Sequence, residues 1–450
     1  MEYVCNKRKI ARILIEATVP MAIGNGEAGI ITVSEVAVDY NGLPYIPGTS
    51  LAGVLRNASK ELDKISDIFG TVSDKQAFGS KLIVSDAKIV DFNGVVVDAL
   101  SKPSEELLKF YKDCPVRQHV KINSGGVAES SGKFDNQVVY KGTRFCFDLS
   151  CIITTSKDED LFNEVLKIVN SGNLRIGSGT RKGYGKFEVI SAWTVLFDLN
   201  NDNERNRYLD YSTLLSIDSE TLKRWEQYSS TKTDNSECRK EFKIVPDDFI
   251  FFGSGFGNKN ADDVPVFEKF LEWTDKGKAD QKMGIVIPAS SVKGAFANRF
   301  EYWYNALILN QGNGIDTQKG KEAKNILFGY VNGQEQVPGL IFIDDIIEDC
   351  TIKSKVFNHV KIDRFTGGAF PGALYNEEAI YSKGTSFTFS ISIDKQSLES
   401  RCKNTDHQSD KILKAVDLVV RDLKEGLLPL GGLSNRGHGN FKESPDVSQN

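Results

Sequence analysis

Short apolar runs recur along the chain at the spacings of helices and strands. The run SLAGVLRNASKELDKI at 50–65 carries apolar residues three or four positions apart, and Thr and Ser at its start favour a helix N-cap. SKDEDLFNEVLKIVN at 156–170 shows the same spacing, with acidic residues in its first turn. KLIVSDAKIV at 81–90 and RFCFDLSCIITT at 144–155 are rich in β-branched and aromatic residues and predict strands. This alternation predicts an α+β fold.

The same succession of sequence blocks occurs twice. The first half contains IPGTSLAGVLRN (46–57), IFG (68–70), KLIVSDA (81–87), HVKIN (119–123), VVYKGTRFCF (138–147) and IGSGTRKGYGKF (176–187). The second half contains, in the same order, IPASSVKGAFANRF (287–300), LFG (327–329), GLIFIDD (339–345), HVKID (359–363), AIYSKGTSFTF (379–389) and LGGLSNRGHGNF (430–441). Matched blocks in one order indicate a duplicated domain. We therefore predict a first domain at 1–197, a polar connection at 198–240 and a second domain at 241–450.

Composition narrows the class of protein. The chain has 450 residues, more than one ordinary core accommodates, and 40% of them are hydrophobic. No apolar stretch approaches the roughly 20 residues of a membrane span, and the start does not resemble a signal peptide. We expect a cytoplasmic protein that makes no membrane contact. The net charge is −5, so any nucleic acid must be bound by locally gathered lysines and arginines.

A glycine-rich segment at 178–189, SGTRKGYGKFEV, is a candidate phosphate-binding loop. Its glycines allow close backbone approach, and Arg181, Lys182 and Lys186 supply positive charge. A dinucleotide-binding loop would open a helix, whereas KFEVISAW predicts a strand. The alternative is a plain glycine-rich hairpin, which is less convincing for two copies than for one.

These blocks closely resemble the RAMP (repeat-associated mysterious protein) superfamily of CRISPR systems, in particular the backbone subunits of type III effector complexes. The most specific stretch is HVKIDRFTGGAFPGALYNEEAIYSKGTSFTF at 359–389. The resemblance implies two tandem domains with ferredoxin-like, RRM-type palms, thumb hairpins and Gly-rich loops. It implies CRISPR guide RNA, complementary target RNA and other type III effector subunits as partners.

The resemblance also implies RNA-binding residues. Helix starts near the IPG and IPA motifs and the two Gly-rich loops would contact guide phosphates, and a thumb hairpin at 359–381, with a counterpart at 119–140, would insert between bases. The candidate RNA-binding residues are Ser50, Arg56, His119, Lys121, Arg175, Arg181, Lys182, Lys186, Ser291, Lys293, Arg299, His359, Lys361, Arg364, Arg436 and His438. The candidate wedge residues are Phe365, Ala369, Phe370 and Leu374.

The resemblance further implies a cleavage centre, because catalytic backbone subunits of the family carry one aspartate in a loop motif of Asp-x-Pro-aliphatic type. Asp263-Val-Pro-Val matches it, and Asp263 would orient the 2′-hydroxyl of target RNA directly or by holding a divalent cation, Mg²⁺. Asp262 is the adjacent fallback, and a solvated loop acid is the alternative interpretation. The first half lacks Asp-x-Pro; Glu35 or Asp39 could substitute, although neither is in convincing register. We expect one strong cleavage centre, in the second domain.

Three other functions remain open. The chain could bind guide RNA as a purely structural subunit without cutting. It could be a stand-alone endoribonuclease that processes CRISPR RNA, although the N-terminal histidine frequent in those enzymes is missing. It could be a nucleotide-binding metabolic enzyme, which the strands after the glycine-rich loops disfavour. The four histidines are His119, His359, His407 and His438, and the first two fall inside HVKI, where stacking or structure outweighs acid–base chemistry.

Overall fold

The chain forms two compact units. The computed structural model describes residues 6–26, 34–73, 76–98, 101–122, 128–229, 237–309, 317–333, 335–349, 353–381, 384–403 and 405–444. The first unit comprises Met1–Thr180, Tyr184–Asp234 and Lys269–Lys282, and the second comprises Arg181–Gly183, Asn235–Glu268 and Met283–Asn450. Each unit therefore contains most of one sequence repeat together with a short segment from the other half of the chain.

The first half of the chain contributes ten strands and five helices among the described residues. The strands are β1 (Lys7–Ala17), β2 (Thr71–Ser73), β3 (Gln76–Phe78), β4 (Leu82–Val84), β5 (Lys88–Ile89), β6 (Val116–Ile122), β7 (Ala128–Gln137), β8 (Arg144–Ile153), β9 (Phe187–Asp198) and β10 (Glu226–Gln227). The helices are α1 (Gly48–Ala58), α2 (Ser66–Phe69), α3 (Glu105–Lys112), α4 (Ser156–Asn170) and α5 (Asp202–Leu209).

The second half contributes the remaining described elements. The strands are β11 (Glu237–Pro246), β12 (Phe249–Ile250), β13 (Phe267–Trp273), β14 (Ala279–Ile287), β15 (Gly329–Asn332), β16 (Glu335–Pro338), β17 (Ile341–Ile343), β18 (Ile346–Glu348), β19 (Lys353–Ile362), β20 (Ala369–Tyr381), β21 (Phe387–Asp394) and β22 (Phe441–Glu443). The helices are α6 (Ala289–Ile308), α7 (Thr317–Phe328), α8 (Lys395–Lys403) and α9 (Ser409–Lys424).

Both units are built on one antiparallel sheet of the same topology. In the first unit the strand order is β10-β9-β1-β8-β4, with β5 also paired to β8. In the second unit the order is β17-β21-β11-β22. Read along the chain, β1-α1-β4-β8-α4-β9 and β11-α6-β17-β21-α9-β22 both follow the β-α-β-β-α-β pattern of ferredoxin-like folds. The predicted α+β fold with two ferredoxin-like palms is confirmed.

Most predicted elements are confirmed, but the predicted start of the first helix is wrong. Helix α1 begins at Gly48 directly after Pro47, without a capping hydroxyl, and it ends at Ala58. The Gly48 amide instead donates to Asp86 Oδ1 at 2.8 Å, and the Ala289 amide at the start of α6 donates to Asp345 Oδ1 at 2.7 Å. The aspartate that ends KLIVSDA and GLIFIDD thus satisfies a helix N-terminus in each repeat.

Helix α4 matches its prediction closely. The Thr155 hydroxyl accepts from the Asp158 amide, and the Thr155 amide donates to the Asp158 carboxylate, which completes a capping box. Leu161, Phe162 and Val165 on its inner face are buried in the first core. The acidic residues predicted in its first turn are Asp158, which is buried, and Glu159.

A short hairpin segment from the second half belongs to the first unit. The Leu271 amide donates to the Lys141 carbonyl oxygen at 3.0 Å, and Trp273 Nε1 donates to the Gly142 carbonyl oxygen at 2.7 Å. The Arg144 guanidinium lies 3.9 Å from the centre of the Trp273 ring. A Cβ at Gly142 would lie 2.0 Å from the Leu271 carbonyl oxygen, so only glycine permits this approach.

The segment that follows β9, predicted as a polar connection, carries helix α5 and is fixed to the first unit by a buried arginine. Arg12 is wholly buried and donates from Nε and Nη2 to the two carboxylate oxygens of Asp148, at 2.9 and 2.8 Å. Its Nη1 donates to the Ser216 carbonyl oxygen at 2.7 Å, and the Tyr211 hydroxyl donates to Asp148 at 2.7 Å. Tyr211 and Ser216 therefore tie the segment 198–229 to the first unit, although most of its side chains are exposed.

No helix among the described residues is both long enough and apolar enough to cross a bilayer.

Candidate functional site

The hairpin β19–β20 in the second unit pairs a buried carboxylate with a partly exposed imidazole. His359 lies opposite Tyr375 in the strand register, and their rings stack with centres 4.8 Å apart. The imidazole Nε2 of His359 lies 2.6 Å from Glu377 Oε1. The Glu377 side chain is only 4% exposed, so this carboxylate faces the protein interior at the base of the hairpin.

Asp263 lies beside this pair because its loop adds to the edge of strand β20. Asp263 pairs with Glu377 in parallel register, and its carbonyl oxygen accepts from the Glu378 amide at 3.0 Å. A Cβ at Gly253 would lie 3.2 Å from both Asp263 carboxylate oxygens, so glycine leaves room for the carboxylate there. Asp263 Oδ1 is buried and has no hydrogen-bond partner. The backbone thus holds the carboxylate in place, and one of its oxygens is buried without a hydrogen-bond partner.

Asp262, the predicted fallback, has a different environment. Its side chain is exposed, and its Oδ2 accepts from the Asn376 amide at 2.8 Å. The Asp262 amide in turn donates to the Asn376 carbonyl oxygen at 2.9 Å. The Asp262 carboxylate therefore fastens the loop to β20, and Asp263 is the better candidate for chemistry.

Two basic side chains from the C-terminal Gly-rich loop complete the cluster. Arg436 Nη1 lies 3.5 Å from Glu377 Oε1, and Arg436 Nη2 donates to the Tyr375 hydroxyl. His438 is buried against Phe249 and Phe357, and its Nδ1 has no hydrogen-bond partner. The residues Asp263, Glu377, His359, Arg436 and His438, with Tyr375, are called the acidic cluster below.

Burial governs the electrostatics of the acidic cluster. Burial raises the pKa of Asp263, and the negative charge of Glu377 raises it further, while hydrogen bonds from the Val264 and Gly255 amides oppose the change. Burial lowers the pKa of His438, although Glu377 acts in the opposite direction. A carboxylate with a raised pKa, close to buried nitrogen and oxygen atoms that have no hydrogen-bond partner, is typical of a functional site.

We expect Asp263→Asn to stabilise the second unit. The raised pKa means that the charged carboxylate is disfavoured in the folded protein, so asparagine removes a cost that is fully present above that pKa. The carboxylate is partly exposed, which limits the gain to about 1 kcal/mol, or a rise of about 2–4 °C in Tm. Thermal unfolding at neutral pH measures it. The gain should shrink as the pH falls through the raised pKa of Asp263, because the folded protein then takes up the proton itself.

Asp262→Asn is the matched control for this measurement. Its carboxylate is exposed and already accepts a hydrogen bond that an amide oxygen can also accept. An equal rise in Tm for both variants would contradict the assigned environment of Asp263.

Several predicted phosphate-binding residues serve other contacts. Arg56 lies in the last turn of α1 rather than at its start, and donates to the Gly70 carbonyl oxygen at 3.1 Å. Arg299 lies in the third turn of α6 and forms an ion pair with the wholly buried Asp422. Neither arginine therefore lies at a helix start, where the resemblance implies contacts with guide phosphates. Ser50 and Ser291 do lie in first turns and are exposed.

Lys293 and the first Gly-rich loop form a second group of basic residues. Arg181 donates from Nε to the Gly339 carbonyl oxygen at 2.6 Å, and Lys293 Nζ donates to the Arg181 carbonyl oxygen at 3.3 Å. Burial and the charge of Arg181 lower the pKa of Lys293 to about 8. Burial also lowers the pKa of Lys182. Arg181, Lys182 and Lys293 belong to the second unit. Arg175 and Lys186 belong to the first unit, where their backbones form an antiparallel β-bridge.

The tip of the β19–β20 hairpin is exposed and carries apolar and basic side chains. Phe365 is 100% exposed, and Phe370 and Leu374 are 50% and 68% exposed. Ala369, Lys361 and Arg364 are exposed as well. Large apolar side chains in such a position are available to another molecule rather than to the core. The first-half counterpart is β6–β7, where the side chain of Lys121 lies outside the described residues.

A family model of the RAMP superfamily matches residues 14–188 and 279–442, which together make up more than half of the chain. The chain belongs to the RAMP superfamily. Each matched region covers most of one sequence repeat, although β11 and most of β9 lie outside them, and the two regions agree with the predicted tandem arrangement. RAMP proteins are generally associated with the RNA-binding subunits of CRISPR systems. Among curated proteins, none matches the chain significantly.

The acidic cluster of this RAMP protein does not form a metal site from protein ligands alone. In the part of the chain that the structure describes, no three His, Cys, Asp or Glu side chains are arranged to hold a metal ion. Glu377 is already engaged by His359 and Arg436, which leaves Asp263 as a single carboxylate. The Mg²⁺ expected from the sequence stays a prediction, and no step proposed below depends on it.

The sequence interpretation missed Glu377 and Tyr375. Hairpin register offered a signal for both, because Tyr375 pairs with His359 and Glu377 follows two residues later on the same face. The proximity of Glu377 to Asp263 had no local signal, since it depends on a pairing between segments more than one hundred residues apart. Glu35 is exposed and does not occupy the position equivalent to Asp263.

Proposed function

We propose that this RAMP protein is a guide-RNA-binding subunit of a type III CRISPR effector and cleaves target RNA at the acidic cluster of its second unit. One observation carries the catalytic part. The Asp263 carboxylate is held in place through its backbone, has a raised pKa, and keeps one buried oxygen without a hydrogen-bond partner. Such a group accepts a proton from a positioned hydroxyl.

The proposed reaction is attack by a ribose 2′-hydroxyl on the adjacent phosphate. Asp263 takes the 2′-hydroxyl proton as the bond between the 2′-oxygen and phosphorus forms. The bond from phosphorus to the 5′-oxygen breaks, and the 5′-oxygen takes a proton from solvent. The products are a 2′,3′-cyclic phosphate and a 5′-hydroxyl, so the reaction consumes neither water nor an oxidant.

The neighbours of Asp263 have supporting roles in this proposal. Arg436 is 39% exposed on its side chain and can contact a phosphate while keeping its contact with Glu377. Glu377 orients His359 and raises the pKa of Asp263, which makes the carboxylate a stronger base at neutral pH. Glu377 and His359 are therefore positioning residues.

RNA binding in this proposal rests on the exposed hairpin tip. Phe365, Phe370 and Leu374 offer apolar surface to unstacked bases, and Lys361 and Arg364 lie beside them for phosphate contacts. Recognition of this kind reads the shape and backbone of RNA, which suits a protein that must accept any guide sequence. A purely structural subunit would share this hairpin, so the carboxylate decides between the two functions.

Replacing Lys361 and Arg364 with alanine should weaken RNA binding and its dependence on salt. Two lost phosphate contacts to a single strand reduce the slope of log affinity against log salt by about 1.4. Fluorescence anisotropy with a labelled single-stranded RNA over a salt series measures the slope. The matched control is Lys319→Ala with Lys321→Ala, two exposed lysines on α7. An equal loss in both variants would mean that binding reflects general charge instead of the hairpin.

A further inference from the structure

The segment 198–229 encloses a cavity against the C-terminal end of strand β9. The cavity has a volume of about 380 Å³ and lies between β9, helix α5 and the short 3₁₀ helix Thr221–Arg224. Pockets for small molecules have volumes of about 300–1,000 Å³, so this cavity suits a ligand at the small end of that range. Its lining residues, within 195–225, lie outside both regions that the RAMP family model matches. Membership of the superfamily therefore does not account for this cavity.

The wall that contains the 3₁₀ helix is fixed at both of its ends. At the first end, the Asp218 carboxylate accepts from the Glu220 amide at 3.0 Å, and from the Thr221 amide and hydroxyl at 2.8 Å each. At the other end, the guanidinium carbon of the wholly buried Arg12 lies 5.2 Å from the centre of the Trp225 ring. Strand β10, which follows directly, pairs with β9. The cavity is therefore formed before any ligand arrives, and a ligand need not order this wall on binding.

The floor of the cavity is apolar. Val195 and Phe197 of β9 are buried there, and the half-buried Trp225 ring lies beside them. The Arg207 guanidinium lies 5.5 Å from the centre of the Phe197 ring, and its Nη1 forms an ion pair with Glu204 at 2.5 Å. Arg207 therefore has its own counter-ion within the protein. The floor suits an apolar group of a ligand.

The rim of the cavity carries charges of both signs. Lys223 and Arg224 lie on the 3₁₀ helix, Glu220 precedes it, and Asp210 follows α5. All four side chains are exposed, and none forms an ion pair or side-chain hydrogen bond with another residue that the structure describes. Two cations beside two carboxylates complement a ligand that carries both charges. A strand of RNA carries phosphate charges alone, so the two carboxylates would repel it.

We propose that this cavity binds a short zwitterionic peptide of about dipeptide size. Its carboxylate contacts Lys223 and Arg224, its ammonium group contacts Asp210 and Glu220, and an apolar side chain packs on Trp225. The ligand is recognised by the combination of two opposite charges and an apolar group between them. The site lies outside the acidic cluster, so the proposal goes beyond RNA cleavage and does not depend on it.

Isothermal titration calorimetry of the full chain with the dipeptide Leu-Leu tests the proposal. A ligand of this size that fills the cavity is expected to bind with a Kd below about 1 mM at neutral pH. The compound N-acetyl-Leu-Leu-amide has the same side chains but neither terminal charge, so it should bind at least about 10-fold more weakly. Equal affinities for the two compounds, or no saturable binding of Leu-Leu in the millimolar range, would overturn the proposal.

The double variant Lys223→Ala with Arg224→Ala tests the contacts with the carboxylate. It should weaken Leu-Leu binding at least about 10-fold, because two charged partners are lost. The matched control is Lys109→Ala with Lys112→Ala, two exposed lysines on α3 in the same unit. All four side chains are exposed, and circular dichroism verifies that both variants fold. Equal affinities for Leu-Leu in the two double variants would contradict the assigned site.

The double variant Asp210→Asn with Glu220→Gln tests the contacts with the ammonium group. The natural chain should prefer Leu-Leu to N-acetyl-Leu-Leu, in which only the amine is blocked, by at least about 10-fold. The variant lacks both carboxylates, so it should bind the two compounds with equal affinity. A variant that keeps the full preference for the free amine would show that these carboxylates do not hold it, and the proposal would fail.

Discussion

Target RNA cleavage at one site is expected to fall by at least about 100-fold in a complex that carries Asp263→Asn, because a positioned base contributes about 10²- to 10⁴-fold to rate. Asparagine preserves the shape of the side chain and the backbone contacts that fix it to β20. Guide and target binding should therefore survive. End-labelled target RNA, separated on a denaturing gel, shows whether one fragment disappears while those made by other subunits persist.

Two further variants sharpen this experiment. Asp262→Asn changes the adjacent exposed carboxylate and should leave the fragments unchanged. Glu377→Gln removes a charge that raises the pKa of Asp263, so the acid limb of the rate–pH profile should move to lower pH. Loss of the fragment on addition of EDTA would support the Mg²⁺ prediction. An unchanged fragment pattern with Asp263→Asn would contradict cleavage by Asp263 and favour a structural subunit that binds RNA without cutting it.

Arg12→Ala is expected to be the most destabilising single substitution in the first unit. It would leave the Asp148 carboxylate, nearly buried in the sheet, without its two guanidinium hydrogen bonds, and it would release the Ser216 carbonyl oxygen. Breaking one partner of a buried ion pair costs about 3–5 kcal/mol. Urea unfolding, followed by circular dichroism, measures the change in the free energy of unfolding.

Arg8→Ala is the matched control on the same strand. Arg8 is half-buried and donates from Nε to the Ser150 hydroxyl at 2.8 Å, a single contact between side chains. Its loss should cost about 1 kcal/mol. Equal destabilisation by the two substitutions would contradict the role of Arg12 as the buried anchor of the segment 198–229.

The fold was largely predictable because the repeat doubled many of the local signals. Six blocks of the first half had a counterpart in the second, so the pattern of one copy could be checked against the pattern of the other. The start of α1 was not predictable in the same way. Its hydrogen-bond acceptor is Asp86, thirty-eight residues away from the Gly48 amide that it binds, and Thr49 and Ser50 offered a nearer and incorrect choice.

The sequence predicted the loop motif and the hairpin of the site, but it did not predict which residues lie next to Asp263. Asp263 and His359 each had a sequence signal, whereas the position of Glu377 between them depends on the loop joining the edge of β20. In the first half, the predicted acid is one residue away from the position equivalent to Asp263. Glu35 has the right charge, but successive residues of an extended segment face opposite sides, and Ser34 is the residue in register with Asp263.

The hairpin segment Lys269–Lys282 has a consequence for synthesis on the ribosome. N-terminal domains generally fold as they emerge, before the rest of the chain is made. Here Leu271 and Trp273 supply backbone and indole hydrogen bonds to the first unit. That unit is therefore completed only after much of the chain beyond β9 has been translated. Fragments that end at the sequence-repeat boundary lack this hairpin. The first unit can form all of its contacts only after the ribosome has translated the chain through Lys282.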